Sequence, residues 1–254
     1  GPHPPGRTPP AGGRYAEAEP LLREALAIQR HVLGPEHPEM AASLRGLAGA
    51  LVAQQKWQDA ETVYRDLLTV LRKLLGEDHP HVAVCLAELG GVMVNQSKTE
   101  EGITVLREAL AMQQRLSNPE ERTLAITFYS LGIALGKQHD RAGAEQMFRG
   151  ELTLKQKYLG SDHREVADCL TRLGGTLVDQ DKLEEGVSVL REALAMQERL
   201  SGPEDTALAQ TFGFLGVALA KQGKLEEAEP VAQKAFAIRE RLLGPKHPET
   251  MWSL

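Results

Sequence analysis

Aromatic residues are scarce in this 254-residue chain, at 4% of the sequence, and only two cysteines are present. So few aromatic side chains are unusual for a large enzyme, and the core is expected to consist mainly of Leu, Ala and Val. No apolar run approaches the roughly 20 residues needed to cross a bilayer, and no N-terminal segment has the pattern of a secretory signal. We therefore predict a cytoplasmic protein without membrane insertion.

Basic residues do not outnumber acidic ones. The chain carries 29 basic and 35 acidic residues, which gives a formal charge of -6. No run of Lys and Arg forms the basic stripe that binds a phosphate backbone. Nucleic acid is therefore not an expected partner.

Motifs that carry catalysis or bind cofactors are absent as well. The sequence has no Walker glycine loop, no dinucleotide-binding glycine pattern, no zinc-protease motif and no nucleophile elbow. Four histidines, His37, His79, His163 and His247, are separated by 42, 84 and 84 residues. Because each lies in a different repeat, they are expected to form a row and to serve in capping or packing at the junctions, not to surround one metal ion. We predict no enzyme activity, no cofactor and no metal site.

What the sequence does contain is a repeat. The segment VLREALAMQQRLS at 105–117 returns with one change at 189–201, which is 84 residues later. A shorter interval of 42 residues, half of 84, separates five leucines, which are Leu47, Leu89, Leu131, Leu173 and Leu215. The same interval separates the residues expected to end helices in a left-handed conformation, which are Gly34, Gly76, Asn118, Gly160, Gly202 and Gly244. The sequence indicates a 42-residue unit, duplicated as blocks of two.

Each unit reads as two helices. Leu44, Leu47 and Leu51 fall at i, i+3 and i+7, which lines one face of a first helix. Ala60, Tyr64 and similar positions repeat this pattern in a second helix, after the short polar stretch 54–56. A turn this short favours antiparallel packing of the two helices.

These residues resemble the tetratricopeptide repeat. One instance of its pattern is Leu44, Leu47, Ala48, Leu51, Ala60, Tyr64 and Leu67, and another is Phe128, Leu131, Gly132, Leu135, Ala144 and Phe148. The longer 42-residue unit and the junctions LGPEHP (33–38), LGEDHP (75–80), LGSDHR (159–164) and LGPKHP (243–248) are similar to those of kinesin light chains. The resemblance implies an all-α fold, a right-handed α-solenoid of antiparallel helix pairs.

The repeat register predicts how the chain is divided. Residues 1–13 are rich in Pro and Gly and are expected to be a disordered leader or a truncation boundary. A half repeat follows at 14–34, then five full repeats at about 35–244 and the start of another at 245–254. Repeat arrays usually need polar caps at their ends, so uncapped ends predict self-association as a second kind of interaction.

The resemblance also implies a function, which is to act as a scaffold or adaptor that binds a protein or peptide segment in a concave groove. Tyr129 and Phe214 are predicted as apolar anchors, and Arg45 and Arg172 as partners for acidic groups. The paired asparagines with which kinesin light chains typically bind a peptide backbone are absent from the matching positions. The predicted groove residues are Arg45, Gly49, Glu88, Gly91, Tyr129, Ile133, Lys137, Thr171, Arg172, Gly175, Asp179, Phe214, Val217 and Lys221.

Two alternatives stay open at this point. The groove positions are equally compatible with plain solvated helix surface. The chain is also compatible with a regulatory or sensor repeat region of a larger protein, whose catalytic or nucleotide-binding domain lies outside this sequence. Glu151 is a local conflict, because it stands where the second helix of the repeat normally has a small residue.

Overall fold

The computed structural model describes residues 11–34, 37–116, 120–200, 206–245 and 247–251. Within these ranges the regular secondary structure is entirely α-helical. The helices are α1 (Ala11–Val32), α2 (Pro38–Ala53), α3 (Trp57–Leu75), α4 (Pro80–Asn95), α5 (Thr99–Arg115), α6 (Glu121–Lys137), α7 (Arg141–Leu159), α8 (Arg164–Asp179), α9 (Leu183–Leu200), α10 (Thr206–Lys221), α11 (Leu225–Leu243) and α12 (Pro248–Met251).

The helices form two compact units. The N-terminal unit spans Gly1–Pro119 and contains α1 to α5, and the C-terminal unit spans Glu120–Leu254 and contains α6 to α12. In the first, α2 packs on α3 and α4 on α5, while α1 packs on α2. In the second, the pairs are α6 with α7, α8 with α9, and α10 with α11. Successive pairs stack through contacts such as α7 with α8 and α9 with α10. The predicted class, an α-solenoid of antiparallel helix pairs, is confirmed.

Part of the predicted leader, residues 11–13, belongs to the first helix. Helix α1 begins at Ala11, ahead of the half repeat expected from residue 14. Residues 1–10 lie outside the described residues. None of the described helices combines the length and the apolar character needed to cross a bilayer.

Glycines end helices where the 42-residue register places them. Gly34, Gly76, Gly160 and Gly244 have φ values of 86°, 88°, 84° and 85°. This left-handed region is open to glycine without steric cost. The predicted helix ends at these four positions are confirmed, whereas Asn118 and Gly202 lie outside the described residues.

The junction histidines cap helices. The Nδ1 atom of His37 accepts a hydrogen bond from the backbone N–H of Glu39 at 3.3 Å. At two later junctions, the Nδ1 atom of His79 accepts from the backbone N–H of His81 at 3.1 Å, and that of His163 accepts from the backbone N–H of Glu165 at 3.2 Å. These contacts satisfy backbone donors at the first turns of α2, α4 and α8. Of the two roles predicted for the junction histidines, capping and packing, these three histidines show capping.

The core lies between the helices of each pair. The register leucines are buried, with Leu47 and Leu173 only 3% and 1% exposed. Small residues allow the close approach, since a Cβ atom built at Gly90 or Gly174 would lie 2.6 Å from the leucine of the opposing helix. Cys85 and Cys169 are free and fully buried. Burial raises the pKa of both thiols to about 12, so neither is a reactive thiolate at neutral pH.

A polar clamp recurs where one repeat meets the next. In the C-terminal unit, Glu145 of α7 accepts hydrogen bonds from Gln180 at 2.8 Å and from Lys182 at 2.6 Å. Burial alone would raise the pKa of Glu145, but the hydrogen bonds from Lys182 and Gln180 outweigh burial and lower it to about 2. The same arrangement joins Glu19 to Gln54 and Lys56, and Glu61 to Gln96 and Lys98.

Candidate interaction surface

In the N-terminal unit, the predicted groove residues lie on the first helices α2 and α4. Gly49 is exposed, while Arg45, Glu88 and Gly91 are half-buried. Burial raises the pKa of the Glu88 carboxyl, and the charge of Arg45 opposes this only in part. The Oε2 atom of Glu88 is buried and has no hydrogen-bond partner in the described part of the chain. This surface is therefore shallow and offers few exposed groups.

In the C-terminal unit, a cleft of about 1070 Å³ lies between α8, α10 and α11. Its lining includes the predicted residues Arg172, Phe214 and Val217. Val217 is 52% exposed, and Phe214 is half-buried. The cleft thus brings a charged group of one first helix together with apolar groups of the next, which the sequence register alone could not establish.

Phe214 also holds two repeats together. A Cβ atom built at Gly175 would lie 2.9 Å from the Phe214 ring, so the ring rests directly on this glycine. Gly175 is itself buried and is not available to a ligand. Only the remaining surface of Phe214 therefore forms the cleft wall.

Thr171 was expected on the groove surface, but it is only 2% exposed. Its hydroxyl oxygen lies 2.7 Å from that of Thr211 and 3.2 Å from Nε2 of Gln197. The Thr211 hydroxyl in turn lies 2.7 Å from Oε1 of Gln197. These three side chains satisfy one another, so Thr171 supports the cleft from behind and presents no polar group to a ligand.

Arg172 also borders a second, smaller pocket of about 310 Å³ between α6, α7 and α8. Its Nη2 atom donates to Oε1 of Glu151 at 2.8 Å. Lys155 lies 3.1 Å from the same carboxylate. The Arg172 guanidinium stacks over the Tyr129 ring with 4.8 Å to the ring centroid. Tyr129 is 40% exposed and forms the outer part of this pocket.

This cluster explains the unexpected Glu151. Its side chain is fully buried, and it is ion-paired with Lys155 and Arg172. Burial alone would lower the pKa of Arg172, but the Glu151 carboxylate, together with Cys169, Tyr129 and Asp168, outweighs burial and leaves that pKa raised. Glu151 and Lys155 were not among the predicted site residues. The sequence feature that could have pointed to this cluster was Glu151 itself, an acidic residue at a position where the repeat normally has a small one.

The other predicted positions lie toward the ends of α6, α8 and α10. Lys137 and Asp179 are exposed, and Ile133 is half-buried. The Nζ atom of Lys221 donates to Asp181 at 2.8 Å and to the Val178 carbonyl at 3.2 Å. Lys221 therefore joins α10 to the turn after α8 and is not simply a groove cation.

The described residues contain no group of three or more His, Cys, Asp or Glu side chains placed to hold a metal ion. The recurring features are helix stacking, an apolar cleft wall and paired charges. These features suit recognition of another polypeptide.

The family model of the tetratricopeptide repeat matches residues 11–73, 39–115, 123–199, 170–240 and 205–254. This chain belongs to the tetratricopeptide repeat family. The search of curated proteins found no significant match.

Solved structures with the same fold include kinesin light chain-like proteins. The chain is 21% identical to BtubC (BKLC) from P. vanneervenii, with a TM-score of 0.74 and 94% of both chains covered. It is 19% identical to a putative kinesin light chain of Podosopora anserina, with a TM-score of 0.69, covering 82% of this chain and 99% of that one. The predicted assignment to kinesin light chain-like tetratricopeptide repeats is confirmed at the level of fold.

A third similar structure is YrrB, described as a tetratricopeptide repeat protein with an unusual peptide-binding site. The identity is 19%, the TM-score is 0.59, and 90% of this chain and 97% of YrrB are covered. This likeness concerns the fold.

Proposed function

We propose that this chain is a non-catalytic scaffold or adaptor of the cytoplasm that binds a peptide segment of a partner protein in the cleft between α8, α10 and α11. The family supports this proposal, because stacked tetratricopeptide repeats build extended surfaces for protein–protein interaction. YrrB adds an example of a peptide-binding site on the same fold.

The cleft itself is the observation that carries the proposal. Its volume of about 1070 Å³ is at the upper end of the range for ligand sites in proteins. Phe214 and Val217 supply apolar anchoring surface, and Arg172 supplies a positive charge at the boundary with the smaller pocket. A peptide segment with apolar anchors and acidic groups matches this lining. Arg172 is shared with Glu151, so Phe214 and Val217 are the main expected anchors.

Selection from a library of random peptides tests the proposal. Val217→Glu places a charge in the cleft at an exposed position, where it should leave the fold intact. Leu75→Glu is the matched control, because Leu75 is 42% exposed and belongs to the N-terminal unit. We expect peptides that bind wild type and the control but not Val217→Glu. Recovery of the same peptides on all three proteins would reject the cleft as the binding site.

A second interaction, self-association, is favoured by the exposed face of α1. Leu21, Ile28 and Val32 are 67%, 57% and 69% exposed. The matching residues of α3, Val63 and Val70, are only 8% and 6% exposed. We propose that this apolar face associates with another copy of the chain. Sedimentation over a concentration series should show dimers that Ile28→Glu abolishes, and a wild type that stays monomeric throughout would eliminate the proposal.

The regulatory or sensor role remains an alternative prediction. In that role, the cleft would bind a segment of the same larger protein. The domains that adjoin the repeats in the full protein would distinguish the two roles.

A further inference from the structure

We infer that the apolar face of α1 pairs with α1 of a second copy of the chain, in an antiparallel arrangement about a two-fold axis. The inference rests on the self-association proposed above and specifies how the two copies meet. The spacing of the apolar residues, the anchoring of α1 in its own unit and the side chains beside the face support this arrangement.

Four residues of α1 form a continuous apolar seam. Leu21, Ala25, Ile28 and Val32 are separated by four, three and four residues, which is the spacing of the a and d positions of a coiled coil. Leu21, Ile28 and Val32 are each more than half exposed, and Ala25 is half-buried. A seam with this spacing fits along a second helix, because each side chain enters a gap between residues of the other helix.

The remaining sides of α1 hold it to its own unit. Leu22 and Leu26 pack against the hydrophobic core of the N-terminal unit. The Nη2 atom of Arg23 donates to Asp59 of α3 at 3.1 Å. These contacts leave the seam on the outside of the unit, so a second copy can reach it without any rearrangement of α1.

No first helix of this chain covers the seam in the residues that the structure describes. On α3, on which α2 packs, the matching residues Val63 and Val70 are buried. One repeat earlier, the turn at 54–56 corresponds to residues 12–14, but α1 is already helical from Ala11. The sequence ahead of Ala11 also has proline at five of its ten positions, a composition that opposes the interior of a helix. The seam is therefore open to a second copy.

An antiparallel pair gives the better match of side-chain size. It places Leu21 against Val32 of the second copy and Ala25 against its Ile28, and the two-fold axis repeats both layers. Each small Ala25 then leaves room for a large Ile28. In a parallel pair every residue meets its own equivalent, so the layer with two Ala25 side chains would contain a gap. The antiparallel sense also sets the two helix macrodipoles against each other.

The side chains beside the seam select the register of the pair. With Leu21 opposite Val32, the Glu24 carboxylate of one copy lies beside His31 of the other, on both sides of the axis. Both side chains are exposed in the single chain. A shift by one heptad would set Glu24 against Glu24 of the second copy and would remove Val32 from the apolar layers. Charge and apolar burial thus favour the same register.

Disulfide cross-linking measures the orientation of the two helices. The native Cys85 and Cys169 are fully buried, so wild type should give no cross-linked dimer. A mixture of Leu21→Cys and Val32→Cys should give a cross-linked dimer under mild oxidation. Neither variant alone should cross-link, because its two cysteines would be about 16 Å apart along the helix axes. Cross-linking of each variant with itself, and not with the other, indicates a parallel pair and overturns the inference.

Leu75→Cys is the matched control for cross-linking. Leu75 is 42% exposed and belongs to the same unit, but it lies on α3, outside the seam. A mixture of Leu75→Cys and Val32→Cys should give no more dimer than wild type. Equal cross-linking in this mixture and in the mixture of Leu21→Cys with Val32→Cys would indicate random collisions and would contradict the arrangement.

A charge exchange tests the register by a different measurement, the dimer dissociation constant from sedimentation. Glu24→Lys should weaken the dimer by about fivefold, because a lysine then faces His31 at both ends. His31→Glu should have a similar effect, since two carboxylates then meet. The double variant Glu24→Lys, His31→Glu restores opposite charges and should bind at least as tightly as wild type. A double variant as weak as either single variant would overturn the register.

Failure of this inference can be distinguished from failure of self-association. If Ile28→Glu abolishes a wild-type dimer whose cross-links are those of a parallel pair, association through α1 holds and only the arrangement is wrong. If wild type stays monomeric at every concentration, the seam binds something else, such as a helix from outside this sequence, and both proposals are wrong. Neither outcome bears on peptide binding by the cleft.

Discussion

Successive repeats of the C-terminal unit meet at contact regions that we call joints. At two of these joints, equivalent repeat positions hold residues of different chemical character. Where α8 packs on α7, Glu151 and Arg172 form a buried ion pair, and we call this the charged joint. Where α10 packs on α8 and α9, the positions 42 residues later are Ala193 and Phe214. In the interior of this joint, Thr171, Thr211 and Gln197 form hydrogen bonds with one another. We call it the neutral joint because these buried groups are uncharged, while the ion pair of Lys221 with Asp181 lies at its surface.

The polar clamp described above is likewise charged at the first joint and replaced by an apolar residue at the second. Glu145 accepts hydrogen bonds from Gln180 and Lys182 at the charged joint. At the neutral joint the corresponding residue is Val187. The comparison teaches that small and apolar residues set the spacing of the helices, while each joint is free to use a different set of polar contacts.

The largest expected effect comes from breaking the ion pair at the charged joint. Glu151→Ala leaves Arg172 without its partner and should lower the free energy of unfolding by about 3 kcal/mol. Denaturant unfolding measures this change. The double variant Glu151→Ala, Arg172→Phe installs the residues of the neutral joint and should recover about 2 kcal/mol of the loss. A double variant no more stable than Glu151→Ala would show that the two joints are not interchangeable.

Removing one hydroxyl from the neutral joint should have a smaller effect. Thr211→Val takes away the group that lies 2.7 Å from Oε1 of Gln197, a side chain that is 1% exposed. The buried Oε1 atom of Gln197 then loses the Thr211 hydroxyl as its donor, although Nε2 still donates to Thr171. This loss should cost about 2 kcal/mol of unfolding free energy. Because no charge is involved, added salt should leave this difference unchanged. A strong salt dependence would contradict the neutral assignment.

The Glu145 clamp should make the stability contributed by the charged joint depend on pH. Since the pKa of Glu145 is lowered from 4.5 to about 2 in the folded protein, its stabilisation is complete above pH 4.5 and is lost as the pH falls toward 2. Glu145→Gln should therefore be less stable than wild type by about 1 kcal/mol at neutral pH. The two proteins should converge in acid. Val187→Ile, the matched control at the neutral joint, should show a pH-independent difference from wild type.

The smallest expected effect is that of the exposed aromatic ring. Tyr129→Leu removes the stacking of Arg172 on the ring while keeping apolar contact. The loss should be about 0.5 kcal/mol in unfolding free energy. A loss as large as that of Glu151→Ala would mean that the ring, and not the carboxylate, holds Arg172 in place.

The sequence was sufficient for the repeat, the helix ends and the fold class, because those features depend on residues with a fixed 42-residue spacing. Leu47 and its successors are buried, as the spacing predicts, and the junction residues His37 and His79 cap helices, one of the two roles expected for them. The candidate site was predictable only in part. Thr171 and Gly175 turned out to be buried, because α10 covers them with the Thr211 hydroxyl and the Phe214 ring.

The sequence could not predict features that depend on contacts between different helices. The pairing of Arg172 with Glu151 requires knowing which atoms of α7 and α8 meet, and spacing along one helix does not contain that information. The cleft likewise arises from three helices, and its apolar wall on α11 includes Leu225 and Leu242, which the first-helix pattern leaves out.

Hydrogen–deuterium exchange with and without a cleft-selected peptide tests the central claim most directly. The account predicts slower amide exchange on binding in residues 164–179, 206–221 and 225–243, the helices that line the cleft. It also predicts no change in α2 and α4 of the N-terminal unit. Protection confined to α2 and α4, or no protection at all, would contradict the assignment of the cleft as the binding site.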